Sequence, residues 1–309
     1  MSTHAVRETG VIALAESQQA AAGEPMPRVA AGRPTAAATP PIDATPVGRR
    51  RMARAAPPAA GFGERVVLPI VTVAFGLLLW EVLVRHYAVP VSLLPAPSAI
   101  GSRLMATWPT LLAQAVPTTI ETVLSFALAT AAGIVLAVGL SYSRLLYSAL
   151  YPGVVFFQLI PKIALAPLFI VWMGIGSPAR LTFAVFIAFF PIVVATMAGL
   201  KSTPPDLLRL CRGLAASPWQ VFAHVRLPYA VPQIFSGMKI AVTFAMIGVI
   251  VAEFISAQEG LGYLIVFASS QADTALILAA ILVLCVVGLA LYGLVVLAER
   301  VATRIYGAS

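Results

Sequence analysis

The sequence predicts an all-α membrane protein with six transmembrane helices, and three observations support this prediction. Of the 309 residues, 60% are hydrophobic and only 10% are charged, and the mean hydropathy of +0.94 lies outside the range of soluble domains. Six apolar runs have about the 20 residues that an α-helix needs to cross the hydrocarbon core of a bilayer. The basic residues also fall mainly on one side of these runs, as the positive-inside rule predicts.

Residues 1–62 are predicted to form a disordered cytoplasmic tail ahead of a transmembrane domain at residues 63–309. The tail is rich in Ala, Pro, Gly and Thr, so it lacks the apolar surface needed to offset its chain entropy on folding. Its apolar stretch at residues 11–15 is too short for the core of a secretory signal. A basic group beside the first span is expected to hold the tail near anionic headgroups: Arg49, Arg50, Arg51, Arg54 and Arg65.

Six spans are predicted within the transmembrane domain, and the third is unlike the others. Pro152, Pro161 and Pro167 interrupt this span, and Lys162 lies in its middle. Because proline removes a backbone hydrogen bond and clashes with the preceding turn, the third span is expected to be kinked or broken. The predicted spans cover residues 66–84, 117–140, 145–173, 181–200, 234–255 and 274–298.

The basic residues predict that both termini lie in the cytoplasm. With the tail inside, only three basic residues fall in the predicted outer segments, namely Arg85, Arg103 and Arg180. The larger inner group supports this orientation: Arg49, Arg50, Arg51, Arg54, Arg65, Arg144, Lys201, Arg209, Arg212, Arg226, Arg300 and Arg304. The loop at residues 201–233, between the fourth and fifth spans, is therefore predicted to be cytoplasmic.

This loop contains two successive helix-start signatures. Thr203-Pro204-Pro205-Asp206 and Ser217-Pro218-Trp219-Gln220 each place a hydroxyl cap and proline ahead of an acid or amide at the third position. Apolar residues then follow with helical spacing at Leu207, Leu210, Cys211 and Leu214. The second helix is expected to end at Leu227-Pro228. Two short amphipathic helices here indicate a surface that contacts the bilayer interface or another protein.

The motifs of catalysis and of cofactor binding are missing from the sequence. A P-loop needs Gly-Lys followed by Ser or Thr, whereas the three lysines follow Pro161, Leu200 and Met238. The three histidines have no metal-ligand spacing, and Cys211 and Cys285 show no pairing pattern. No nucleic-acid motif accompanies the positive charge. We therefore predict no catalytic residue, no metal site and no cofactor in this chain.

Residues 215–228 resemble the cytoplasmic loop of bacterial ATP-binding-cassette (ABC) importer permeases, which reads Glu-Ala-Ala, three residues, Gly, nine residues, Ile-x-Leu-Pro. Val225, Leu227 and Pro228 match this pattern in type and spacing, whereas Ala215 stands where Gly is usual. Arg209, Leu210 and Cys211 stand in place of Glu-Ala-Ala. Further segments are similar to the nitrate, sulfonate and taurine subgroup of these permeases: Leu94–Ser98, Ile160–Leu168, Trp172–Gly176, Phe190–Pro191, Val251–Glu253 and Gly260–Tyr263.

The resemblance implies the type I ABC importer permease (MetI-like) fold in the bacterial inner membrane and a translocation pathway for a small solute. It also implies a homodimer, a separate cytoplasmic ATPase that binds ATP, and a separate periplasmic or lipid-anchored solute-binding protein. We hypothesise that Arg209 and Arg212 meet acidic groups on the ATPase. The residues expected to couple to the ATPase are Arg209, Leu210, Cys211, Arg212, Ala215, Ala216, Ser217, Trp219, Val225, Leu227 and Pro228. The alternative is an ion-coupled secondary transporter that needs no ATPase.

Three charged residues in the predicted spans are candidates for the translocation pathway or a gate. Lys162 is either a pathway charge that attracts an anionic solute, or a snorkelling side chain that fixes the broken third span. Glu121 and Glu253 lie near the predicted outer ends of their spans. They are either solvated at headgroup level or form a gating contact across the dimer.

Overall fold

The computed structural model describes residues 62–256 and 258–306. The predicted disordered tail lies almost entirely outside these residues and stays a prediction. All regular structure in the described part of the chain is helical. The helices are α1 (Phe62–His86), α2 (Pro97–Ala106), α3 (Trp108–Tyr142), α4 (Arg144–Leu159), α5 (Ala166–Met173), α6 (Ser177–Lys201), α7 (Pro205–Gly213), α8 (Pro218–Val221), α9 (Leu227–Ser256), α10 (Leu261–Ser270) and α11 (Thr274–Tyr306).

Within the described residues, five helices are long and apolar enough to cross a membrane, and a bent pair brings the number of spans to six if the pair counts as one span. The five are α1, α3, α6, α9 and α11. The sixth consists of α4 and the segment 162–173, which meet at an angle of 93°. The predicted all-α membrane fold is confirmed. The break lies between Leu159 and Lys162, where Pro161 interrupts the backbone hydrogen bonds.

Several segment boundaries differ from the sequence prediction, and two of these differences change how the chain is organised. Helix α3 begins at Trp108, nine residues before the predicted span, and its 35 residues make it about 52 Å long. The chain does not leave the helix at Leu227-Pro228, since a π-helical turn at Phe222–Arg226 leads directly into α9. This wide turn accommodates Pro228, whose ring would clash with a carbonyl in a regular α-helix. The loop therefore ends at Arg226 rather than at residue 233.

Helix α6 forms the centre of the bundle, packed between α3 and α9. Small residues bring the backbones together: a Cβ on Gly248 would lie 2.7 Å from the Ala184 Cα, and one on Gly133 would lie 2.9 Å from the Ile192 Cγ2. Lipid tails are as apolar as leucine, so membrane helices associate through such close van der Waals contact. Helix α1 is peripheral, with only 6% of its span buried.

The bundle has two ends that matter for function. The loop end contains the α3–α4 turn at Ser143 and the segment from Ser202 to Arg226. The opposite end contains the α5–α6 turn at Gly174–Gly176 and the α9–α10 turn at Gly260.

Substituting Gly248 by alanine should destabilise the α6–α9 contact. The added methyl group would overlap the Ala184 backbone, and overpacking of this kind costs about 1–3 kcal/mol. We expect Gly248→Ala to lower the midpoint of thermal unfolding of the detergent-solubilised chain. Gly139→Ala is the matched control, because its Cβ would meet nothing within 4 Å and alanine is the better helix former. Equal midpoints for the two variants would contradict this account of the packing.

Candidate functional site

At the loop end, α7 and α8 are joined by a tight turn. Helix α7 begins at Pro205, directly after Pro204, and has an acid, Asp206, in its first turn. The Asp206 Oδ1 accepts a hydrogen bond from the Arg209 Nη1 at 2.9 Å. The predicted Thr203 cap is wrong, because Pro204 occupies the N-cap position and no side chain caps the helix. The predicted capping box of α8 is present. Its Ser217 Oγ accepts from the Gln220 N–H, and the Gln220 Oε1 accepts from the Ser217 N–H at 2.8 Å.

The turn between the two helices explains the glycine of the family pattern. Ala215 has a φ of 52°, in the left-handed region that favours glycine. The Ala216 N–H donates to the Cys211 carbonyl at 3.0 Å and the Ala215 N–H donates to the Arg212 carbonyl at 3.1 Å, which is the Schellman motif of a helix C-terminus. The turn therefore has the geometry that glycine normally supplies, here with an alanine.

Three large apolar side chains lie uncovered on α7, α8 and the turn between them. Leu210 is 57% exposed, Leu214 is 72% exposed and Trp219 is 68% exposed. Between the two helices runs a groove whose lining includes Ala215 and Val225. An uncovered apolar surface beside polar groups marks a place where another molecule binds. We call this surface, residues 205–221, the corner.

Phe222 fixes the corner to the membrane helices. Its ring is buried against Leu200 of α6 and against Ala230 and Ile234 of α9, and the exposed ring of Trp219 stacks on it with 5.6 Å between ring centroids. Leu227 packs at the edge of the same cluster. Of the residues that match the end of the family pattern, Leu227 thus helps to anchor the corner, whereas Val225 lines the groove.

At the opposite end of the bundle, Glu121 and Arg180 form a buried ion pair. The Arg180 Nη2 donates to the Glu121 Oε1 at 2.6 Å, and the Ser177 Oγ donates to the same oxygen at 2.8 Å. Glu121 is 6% exposed and Arg180 is 5% exposed. Of the two alternatives for Glu121, headgroup solvation does not fit this burial, and a gating contact across the dimer stays a prediction. Arg180, assigned from the sequence to an outer segment, is an inward-facing residue in the first turn of α6.

Glu253 is also buried, at 2% exposed, and it holds the start of α10. Its carboxylate accepts from the Thr118 Oγ1 and from the Gly262 N–H, both at 2.7 Å. A carboxylate at a helix N-terminus is favoured by the orphan N–H groups and by the helix dipole. Headgroup solvation thus does not fit the burial of Glu253 either, and within the described residues both acids are engaged by groups of their own subunit.

Gly260 makes this arrangement possible. Its φ of 106° and ψ of 162° lie in a region that is essentially restricted to glycine, and a Cβ there would overlap the Glu253 carboxylate. The Gly260 N–H donates to the Gln114 Oε1 at 2.6 Å. The sequence signal for this site is the Gly-Leu-Gly run after Glu253. Its meaning depends on Thr118 and Gln114, which lie more than 130 residues away in the chain.

Lys162 lies at the break of the third span, half-buried. Its Nζ donates to the Gln158 carbonyl at 3.2 Å and lies 5.6 Å from the centroid of the Phe190 ring. The Gln158 carbonyl belongs to the last turn of α4, where helix carbonyls lack intrahelical partners. This geometry favours the interpretation that Lys162 fixes the broken span. A role in the pathway stays a prediction.

The fold defines a class of protein: a multi-span helical membrane protein, here with an exposed apolar corner at one end of its spans. The chain belongs to the family of binding-protein-dependent transport system inner membrane components, whose profile matches residues 129–304. It is therefore a multi-pass inner-membrane protein, the permease subunit of an ABC importer for a small solute. The ion-coupled alternative is set aside.

Individual relatives agree with this assignment. A probable ABC transporter permease of Haemophilus influenzae is 34% identical over 228 residues, which cover 74% of this chain and 93% of the relative. The riboflavin transport system permease RibX of Chloroflexus aurantiacus is 33% identical over 236 residues, covering 76% and 88%. The taurine transport system permease TauC of Escherichia coli is 27% identical over 231 residues, covering 72% and 84%. The predicted family resemblance is confirmed.

A solved structure shares the fold. The inward-facing MetNI methionine ABC transporter matches with a TM-score of 0.55 and 22% identity, over 62% of this chain and 96% of the matched chain. At this identity the match shows the MetI-like architecture alone.

Substituting Gly260 by alanine should release the start of α10. The variant adds backbone strain of about 1–3 kcal/mol and also pushes the Glu253 carboxylate away from the Gly262 N–H. We expect faster amide hydrogen exchange over residues 261–270 and a lower unfolding midpoint. Gly174→Ala is the matched control, since Gly174 has a similar backbone conformation (φ 80°, ψ 173°) but no atom within 4 Å of its Cβ position. The same exchange change in both variants would contradict a role for the carboxylate contact.

Proposed function

We propose that the corner docks on a cytoplasmic ABC ATPase, which binds and hydrolyses ATP while this chain binds none. The observation that carries the proposal is the uncovered apolar surface formed by Leu210, Leu214 and Trp219 on a rigidly capped turn. A protein partner suits this surface better than the bilayer, because Leu214 lines a concave groove whose lining also contains the polar side chains of Gln220 and His224. A helix that lies on lipid presents a continuous apolar face instead.

The contacts of the corner suggest how movement of the ATPase reaches the spans. Phe222 is wedged between the ends of α6 and α9, and these two helices are closely packed along their lengths. A displacement of the corner would therefore move both helices together as a rigid unit. Rigid-body movement of packed helices is a common way to switch a site between two access states.

We also propose that Arg212 contributes more than Arg209 to charge contacts with the ATPase. Arg209 already forms an ion pair with Asp206 within its own helix. The Arg212 Nε donates only to the Leu208 carbonyl, at 3.4 Å, so its charge is not neutralised by a described carboxylate.

The broken third span supports the proposal of a homodimer. Ile160 and Pro161 interrupt the helical backbone roughly 24 Å from the start of α4, at membrane depth if α4 begins at the bilayer surface. Irregular backbone at that depth is tolerated only where protein covers it or where it lines an aqueous cavity. Leu159 and Ile163, on either side of the break, are exposed. A second copy packed against this segment, with the pathway between the copies, satisfies this requirement.

We also propose how the solute reaches the permease from the outer side of the membrane, and which solute it is. A solute-binding protein delivers the solute to the end of the bundle opposite the corner, and both termini lie in the cytoplasm. The solute is a nitrate-, sulfonate- or taurine-like anion or a related small organic compound, since permeases for riboflavin and taurine are among the relatives. The solute can be identified by mass spectrometry of the ligand that the cognate solute-binding protein retains on purification.

A bulky acid at residue 215 should uncouple transport from ATP hydrolysis. In Ala215→Glu the side chain would project from the tight turn into the groove and block the partner. We expect loss of uptake and of solute-stimulated ATPase activity in proteoliposomes, while the unfolding midpoint falls by only a few degrees. Ala215→Gly is the matched control, because it relieves the left-handed strain and leaves the groove open. Wild-type uptake by Ala215→Glu would overturn docking at this turn.

Replacing Lys162 by methionine should weaken the broken span more than it weakens solute binding. Loss of the charge-assisted hydrogen bond to the Gln158 carbonyl costs about 1–3 kcal/mol, so the unfolding midpoint should fall while the KM for uptake stays near the wild-type value. Lys162→Arg, which keeps a donor and a charge, should restore the midpoint. A raised KM with an unchanged midpoint would instead assign Lys162 to the pathway.

A further inference from the structure

A basic pocket lies at the loop end of the bundle, separate from the groove of the corner. Arg144 at the start of α4, Lys201 at the end of α6 and Arg226 at the end of the π-helical turn all line this cavity of about 510 Å³. We call it the basic pocket. Three chain segments that are far apart in sequence thus bring three positive charges to one place.

No described carboxylate compensates these charges. The ion pairs formed among residues 67–256 and 258–305 all involve other basic residues, so none places a carboxylate within 4 Å of Arg144, Lys201 or Arg226. The Lys201 Nζ lies 3.4 Å from the centroid of the Tyr147 ring. This contact orients the ammonium group without neutralising it.

Two buried hydrogen-bond donors in the lining lack partners in the described structure. Thr203 is 6% exposed, and its Oγ1 has no hydrogen-bond partner; the enclosed Nε of Arg226 also has none. A buried donor without an acceptor costs about 1–3 kcal/mol. These two donors, one of which belongs to Arg226 itself, add to the three basic side chains of the pocket. Together they indicate a site for an anion that presents several acceptor oxygens.

The surroundings place this site where the hydrocarbon core gives way to headgroups. The pocket lies at the ends of α3 and α6, and its lining includes the apolar side chains of Leu140 and Met197 together with Tyr142 and Tyr147. Tyrosines concentrate at the level of lipid headgroups, and basic pockets between membrane helices bind anionic headgroups. A lipid meets both requirements, because its phosphate suits the charges and its acyl chains extend from the headgroup level into the hydrocarbon core.

We propose that the basic pocket binds the phosphate of an anionic membrane lipid. The headgroup lies against Arg144, Lys201 and Arg226, and a phosphate oxygen accepts from the Thr203 hydroxyl. Because Thr203, Leu208 and Arg226 flank or belong to the loop that carries the corner, an occupied pocket braces the base of the corner against the α3–α4 turn. The site does not depend on which ATPase or solute the permease serves.

The test measures lipid binding by the full-length chain in detergent micelles with native mass spectrometry. The wild-type chain should retain phosphatidylglycerol and exchange phosphatidylcholine freely. The double variant Arg144→Gln/Arg226→Gln should bind phosphatidylglycerol roughly 30-fold more weakly, as expected when two basic groups are removed. Thr203→Val, which keeps the side-chain volume, should weaken binding while both arginines remain, and it reports on the site if the double variant does not fold.

The matched control is Arg300→Gln/Arg304→Gln, which removes two arginines from α11 outside the pocket and should bind phosphatidylglycerol like the wild type. Several results would overturn the proposal. The first is equal retention of phosphatidylcholine and phosphatidylglycerol by the wild-type chain. The second is an equal loss of phosphatidylglycerol binding in the two double variants. The third is wild-type binding of phosphatidylglycerol by both Thr203→Val and Arg144→Gln/Arg226→Gln. Displacement of the lipid by inorganic phosphate, but not by chloride at equal ionic strength, would show that the site takes free phosphate. Displacement on assembly with the ATPase would show that a partner carboxylate fills it.

Discussion

Close packing of α6 against α9 is the contact on which the rest of this structure depends. In a bilayer the hydrophobic effect does not drive helices together, so association needs backbone contact at small residues. Gly248 against Ala184 and Gly237 against Ala195 provide that contact. The pair also spans the molecule, because the corner is fixed to its loop end through Phe222 and the buried acids lie at its opposite end.

Each end of this helix pair is secured by a different kind of interaction. At the loop end the contacts are apolar and the adjoining corner is exposed. At the opposite end the contacts are ionic and buried: Arg180 of α6 pairs with Glu121, and Glu253 of α9 holds the start of α10. Removing one partner of a buried ion pair strongly destabilises a protein, so this end has little freedom to rearrange locally. In the docking that we propose, a displacement of the corner would then move whole helices.

The corner itself shows how a sequence departure can preserve a geometry. Ala215 occupies the glycine position of the family loop, yet its φ of 52° and the hydrogen bonds of the Schellman motif are those of a glycine turn. The alanine adopts the left-handed conformation and ends α7 with the hydrogen bonds that glycine normally allows. Arg209, Leu210 and Cys211 in place of Glu-Ala-Ala give the surface a different charge. The turn geometry of the corner therefore occurs here without the residues that the family pattern has at these positions.

The sequence alone determined the class of fold, the broken third span, the two short helices of the loop and the family. These features depend on local properties: hydrophobic run length, proline position, cap residues and motif spacing. The sequence alone did not determine whether the charged residues are buried or which groups they contact. Glu121, Glu253 and Arg180 look like interfacial residues when the chain is read linearly, because each lies near a span end. Only the tertiary structure decided that they are buried, since their partners come from helices tens to more than a hundred residues away and burial depends on which helix faces meet. The same reason applies to the basic pocket, whose three cations become a site only when α3, α4, α6 and the π-helical turn converge.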